Sequence, residues 1–384
     1  LFDAYRISFS QTTMQITSNH SSSLSRLDPN RWTKESGEFT VKGVLAAAGL
    51  AAASKVTETF YYTGLAVEAM TNPSHLPLGD EIHRLDTMRR AIKSHRRITV
   101  TDGLPLGSAN PLKDLPAAHL KRPVMLVPGW DTPHDRFRPL TDKLIDQGAN
   151  GGQTLYVKNG EFFSDQHCHF PLAAEDVPKD SKVFVTVLNS TSESPHTSAP
   201  QLKANMEALQ RVVPGPPPDV IAYSQGGLCT RTYLAEEGAK TGKLMFVGTP
   251  NLGAGLASLS NFVYQAQDQG YDVDYLLSDQ NLDPEDRASI EFMTVGSEHL
   301  DKLNAGWDQQ MARTEGFLVV GYQGTNTFNY GIPPLKPGDK LVTAENLAPP
   351  GVERTFVDGQ YAEHGTLPFN AGAYQEMLKH FDWG

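Results

Sequence analysis

The chain has 384 residues and a formal net charge of −11, with 39% hydrophobic and 20% charged residues. That balance is ordinary for a globular protein and argues against a nucleic-acid binder, since phosphate affinity needs clustered Lys and Arg. No apolar run reaches the roughly 18 residues expected of a membrane-spanning helix. The nearest approach, 44–54, is made of small residues and is interrupted by Gly49. The length exceeds one ordinary core and suggests a domain with a sizeable extension. Cys168 and Cys229 are too few for a disulfide framework. Free thiols are the expectation, a single bridge the alternative. The chain starts at Leu1 without a signal peptide and is read as a mature, exported form or an excised piece.

Residues 1–40 are polar and rich in Ser and Thr, with a loose alternation over 5–16 that suggests an edge hairpin. Helical periodicity follows over 39–70 and again over 80–94. Arg89, Arg90, Lys93, Arg96 and Arg97 form the one basic cluster, read as a solvated face, with anionic lipid headgroups as the sharper alternative. From Arg122 the pattern changes to continuous apolar runs separated by amphipathic segments. Strands are expected at 123–127, 154–157, 182–188, 220–222, 243–250, 317–320 and 354–357. Helices are expected at 135–147, 199–213, from 228 to 234, and at 371–381. Uniformly apolar strands alternating with helices define an α/β class with a mostly parallel sheet flanked by helices.

The chemistry concentrates in Asp219-Val-Ile-Ala-Tyr-Ser224-Gln-Gly226-Gly227. A strand runs into a serine and then a helix, with Ala222 and Gly226 two residues either side. Small residues are needed there because a sharp strand-to-helix turn leaves no room for side chains. The turn exposes the hydroxyl and aims free helix N–H groups at it. This spacing resembles the nucleophile elbow of the α/β-hydrolases, where the order along the chain is serine, acid, histidine. His364 follows the last expected strand and precedes the last helix, the place of the base. Asp339, in the loop after strand 317–320, leads as the acid, with Glu345 and Asp358 as competitors. A carboxylate there would fix the imidazole tautomer and stabilise the imidazolium. The oxyanion donors would be the backbone N–H groups of Gln225 and Trp130.

Further segments resemble the lipase and esterase branch of that superfamily, especially bacterial triacylglycerol lipases. Val124-Met-Leu-Val-Pro-Gly129 looks like the family's "LVHG" loop. Ala222 to Arg231 resembles "HSMGGLVAR", Val247 to Gly253 resembles "GTPHxGS", and Gly296 to Asn304 is similar to "GSxFLxxLN". The likeness spans 123–384 and gives a division into an extension, 1–120, and a hydrolase domain, 121–384. The segment 253–313 is too long for a simple connection and implies a helical cap or lid over an acyl pocket. The resemblance implies a serine ester hydrolase acting on acyl or lipid esters, with transient lipid-interface contact and no cofactor. A phospholipase, an acyltransferase, a peptidase and an inert binding protein stay open as rivals. Some relatives carry a structural calcium, but Glu345, Glu353, Asp358 and Glu363 lack the spacing for one. Asp165-Gln-His167-Cys168-His169 offers zinc-type ligands without a second cluster, so no metal is assigned.

Overall fold

The computed structural model describes residues 109–132, 135–268, 284–329 and 335–384. The hairpin at 5–16, the helices at 39–70 and 80–94 and the basic cluster lie outside the described residues. The chain divides into two compact units, one of 98–257, 284–327 and 337–384, the other of 1–97, 258–283 and 328–336. In the second unit, Leu259, Val263 and Tyr264 are buried on one helical face. The sheet described next belongs to the first unit.

Its centre is a nine-stranded sheet. The strands are β1 (Val124–Val127), β2 (Thr154–Lys158), β3 (Glu161–Phe163), β4 (Pro171–Leu172), β5 (Val183–Thr186), β6 (Asp219–Tyr223), β7 (Lys243–Val247), β8 (Gly316–Gly321) and β11 (Thr355–Phe356). Their order is β11-β8-β7-β6-β1-β5-β2-β3-β4, parallel except where β3 pairs with β2 and β4. β1, β5 and β6 are buried at every position, which is why they read as unbroken apolar runs. Each fully buried Val, Leu, Ile or Phe contributes about 1.5–3 kcal/mol.

The described helices are α1 (Arg138–Leu144), α2 (Pro195–Val212), α3 (Gln225–Ala235), α4 (Gly255–Asp268), α5 (Arg287–Met293), α6 (Glu298–Ala305), α7 (Trp307–Met311) and α8 (Ala371–His380). One core layer gathers Met125, Leu155, Phe184, Leu202, Met206, Phe246 and Trp307; the other gathers Leu126, Phe137, Leu140, Tyr223, Met245, Tyr374 and Trp383. Helices therefore cover both faces of the sheet. This is the α/β-hydrolase fold.

Several boundaries differ from the sequence expectation for local reasons. α1 ends early because the Gly-rich stretch after it turns left-handed, with Gln147 at φ 56° and Asn150 at φ 55°. Asn150 holds that turn, donating to the Ala118 and Leu144 carbonyls and accepting from the Leu120 N–H. α2 starts earlier than residue 199 because Pro195 takes the first helical turn, leaving Pro200 inside the helix. The edge strands β3 and β4 were not expected; they are too short to show a period. β9 (Thr325–Phe328) and β10 (Leu335–Gly338) form a further two-stranded sheet, in which Thr325 Oγ1 donates to the Gly338 carbonyl at 2.7 Å. Leu112, Ala118 and Leu120, which precede the expected domain start at 121, are buried in the hydrolase core. Tyr374 also donates to the Pro116 carbonyl at 2.8 Å.

Candidate active site

β1 lies between β5 and β6, so the chain fills one side of the sheet with β2 to β5 and then crosses to the other with β6 to β8. The carboxyl ends of β1 and β6 flank that switch point, where an open parallel sheet leaves a crevice. Ser224 follows β6 directly and adopts φ 53°, ψ −129° before α3 begins. This is a rarely populated conformation for a residue with a side chain, held because strand and helix on either side fix the turn.

The small residues earn their places by contact. A Cβ on Gly226 would come 2.4 Å from the Pro128 carbonyl oxygen, and one on Gly129 would come 2.6 Å from Ser224 Cβ. The loop after β1 and the elbow thus touch backbone to backbone. The N–H groups of Trp130, one residue beyond Gly129, and of Gln225, the first residue of α3, belong to these two touching segments. As the first helical residue, Gln225 has no intrahelical acceptor for its N–H.

His364 Nε2 lies 2.9 Å from Ser224 Oγ, and His364 Nδ1 lies 2.8 Å from Asp339 Oδ2. All three are buried, with Ser224 6%, His364 3% and Asp339 0% exposed. The second carboxylate oxygen of Asp339 accepts the N–H groups of Leu341 at 3.0 Å and Val342 at 2.7 Å. These bonds fix its rotamer. The two loops are also joined directly, since the His364 N–H donates to the Asp339 carbonyl at 2.9 Å. Glu345 and Asp358, the competing acids, are both exposed, so Asp339 alone of the three faces the imidazole.

Three supporting residues escaped the sequence reading. Tyr223 donates its hydroxyl to the His364 carbonyl at 2.9 Å, and its ring lies 5.3 Å from the imidazole. Burial raises its phenol well above the usual range, so it stays a neutral donor. Arg136 donates to the Gly365 carbonyl. Gly248, at φ 61°, leaves the space behind the acid and base; a Cβ there would lie 3.3 Å from Asp339 Oδ2 and from His364 Nδ1. Only the tyrosine's place beside the serine offered a signal in sequence. The other two are brought in by tertiary contacts.

The remaining candidates lie elsewhere. Asp165 folds its own loop by accepting the N–H groups of His167, His169 and Phe170. No group of three or more metal-ligating side chains occurs among the described residues. His380 donates to the Leu244 carbonyl at the opposite end of β7 from the site. Cys168 and Cys229 are both free.

The strand order and the strand-to-helix turn at the strained serine define the class as an α/β-hydrolase-fold protein, in which Ser224, His364 and Asp339 are hydrogen-bonded in series. No family model matches the chain, and no curated protein matches it. Among solved structures it is similar to a gene product from Listeria innocua, with 15% identity, TM-score 0.43 and coverage of 68% of this chain and 94% of that one. It is also similar to a mature Bacillus licheniformis lipase, with 13% identity, TM-score 0.45 and coverage of 69% and 95%. A Legionella pneumophila phospholipase matches with 13% identity, TM-score 0.35 and coverage of 70% and 62%.

Proposed function

We propose that the protein is a serine ester hydrolase that cleaves carboxylic esters, lipid acyl esters foremost, through an acyl-enzyme. The observation that carries the reading is the buried hydrogen-bonded series Ser224–His364–Asp339. His364 Nε2 takes the proton as Ser224 Oγ attacks the ester carbonyl, and Asp339 stabilises the resulting imidazolium. The N–H groups of Gln225 and Trp130 receive the oxyanion. His364 then gives the proton to the leaving alkoxide as the acyl–oxygen bond breaks. Next it deprotonates a water that attacks the acyl-enzyme, and Ser224 recovers its proton from His364 as the acid departs.

The test is labelling with a fluorophosphonate alongside hydrolysis of p-nitrophenyl esters of rising acyl length. Wild type should label at one serine and hydrolyse the esters, while Ser224→Ala should do neither. A wild type that never labels, or an alanine variant that still does, removes this reading. An optimum at long acyl chains supports a lipid substrate, and loss beyond short chains supports a plain esterase. Adding an alcohol and following its acylation separates hydrolysis from transfer.

A further inference from the structure

Arg231 lies two helical turns beyond Ser224 on α3 and is 0% exposed. A buried cation normally has a carboxylate partner. Among the described residues its partners are all neutral. Nε donates to Gln310 Oε1 at 2.9 Å, Nη1 to Asn251 Oδ1 at 2.9 Å and Asn304 Oδ1 at 2.8 Å, and Nη2 to the Leu303 carbonyl at 3.0 Å. The guanidinium also stands 4.5 Å over the Trp307 ring. Burial pulls it down to about 9, which leaves it cationic at neutral pH.

These partners come from three separate parts of the chain. Asn251 is in the loop after β7, Leu303 and Asn304 end α6, and Gln310 is on α7. They are also tied to one another. Asn304 Nδ2 donates to the Asn251 carbonyl at 2.9 Å, and Gln310 Nε2 to the Leu303 carbonyl at 2.7 Å. From Asn251 the series continues toward the acid. Asn251 Nδ2 donates to the Leu347 carbonyl at 2.7 Å, and the Leu252 N–H to the Asn346 carbonyl at 2.9 Å. The Asn346 N–H donates to the Thr343 carbonyl at 2.9 Å, and the neighbouring Val342 N–H bonds Asp339 Oδ1 at 2.7 Å.

We propose that Arg231 is a positioning residue of the hydrolytic site: its fork of donors locks the nucleophile helix to the β7 loop and to the return of the 253–313 insertion, and through Asn251 holds the segment that carries Asp339. The proposal rests on the serine-hydrolase reading. Its physical basis is the mismatch between cost and alternative. Burying a cation among neutral groups is expensive, and apolar residues of similar volume would hold helices together more cheaply. A guanidinium satisfies several acceptors at once in one plane, which neither an ammonium nor an apolar side chain can do. What the guanidinium provides is therefore a fixed geometry among the elements that carry serine and acid.

The test uses the full chain with Arg231→Lys, which keeps charge and loses the fork. Active serines are titrated with fluorophosphonate, and kcat and KM for a short p-nitrophenyl ester are expressed per titrated serine beside the melting temperature. The expected result is a kcat per titrated serine down about tenfold or more, with KM within about twofold and the labelling rate falling in parallel. Wild-type kcat per titrated serine, with only the titratable fraction or melting temperature reduced, would show a merely structural role and overturn the proposal. Should Arg231→Lys not fold, Asn304→Ala removes one acceptor and the link to Asn251, and is expected to give the same split at about threefold. An unchanged kcat in that variant counts against the proposal equally. A wild type that never labels removes the hydrolase reading and this inference together, whereas normal wild-type labelling beside an unaffected variant removes only the inference.

Discussion

In the proposed mechanism Ser224, His364 and Asp339 act through two hydrogen bonds, so single-atom changes should be felt fully. Ser224→Ala should lower kcat by about a thousandfold or more, leaving what binding and the oxyanion donors supply. Asp339→Asn retains an acceptor for the Leu341 and Val342 N–H groups, yet puts an amide where the imidazole needs an anion. A loss of about 10³–10⁴ in kcat is expected with little change in KM, as when the triad acid of a serine protease is made neutral. Gly248→Ala tests the back wall of the site. Its φ of 61° strains any L side chain, and the new methyl would press on acid and base at 3.3 Å. Steady-state kinetics should show kcat falling more than KM changes. At this scale the elbow was legible because sterics force small residues around the serine. Tyr223 and Gly248 were less so, since their roles depend on a loop more than a hundred residues away in sequence.

Two groups at the ends of elements titrate in opposite senses. At the amino-terminal end of the sheet, Lys243 donates its N–H to Asp219 at 2.8 Å and its ammonium to the His380 carbonyl at 2.7 Å. Burial raises Asp219 to about 6, against the opposing pull of the Lys243 N–H and Arg122. Burial, assisted by the Lys243 charge, lowers His380 to about 4. The two act in opposite senses. Between about pH 4 and 6.5 the unfolded chain holds more proton on His380 than the folded one, so that stability is complete above 6.5 and lost as pH falls toward 4. Between 3.8 and about 6 the folded chain holds more proton on Asp219, so its contribution falls as pH rises. Urea melts across pH 4–7 should therefore show a shallower acid loss for His380→Asn than for wild type, and a steeper one for Asp219→Asn. Parallel curves for all three proteins would contradict the assignment. The buried strands that meet here were readable because both faces are covered. The hairpin of β3 and β4 was not, because its two- and three-residue strands have no period to read.

For the molecule as a whole, the thiols give a direct check on which parts are closed. Cys229 is buried on α3, and burial raises its thiol to about 12. Cys168 is only half-buried, at φ 57° in the loop between β3 and β4. Native protein should release about one equivalent from a disulfide reagent, and denatured protein about two, with no reductant needed. Equal titres in both states would mean that α3 opens in the native ensemble. The same closure makes the fate of Cys229 a useful companion to the Arg231→Lys experiment, because both residues lie on the helix that begins at Ser224.

The amino-acid sequence by itself determined the class. Uniformly apolar strands require a sheet covered on both faces, and a serine between small residues requires a tight strand-to-helix turn. The order of serine, acid and histidine along the chain then pointed to His364 as the base and left three candidates for the acid, Asp339, Glu345 and Asp358. Which acid lies against the imidazole is visible only in the tertiary structure, because burial and distance are properties of the assembled loops: Asp339 reaches the imidazole, while Glu345 and Asp358 face solvent. The tertiary structure also gave Arg231 its surroundings. An arginine in a helical pattern reads as a solvated face, since charge normally stays in water. Only the meeting of the β7 loop, α6 and α7 around it supplies the neutral acceptors that allow the cation to be buried.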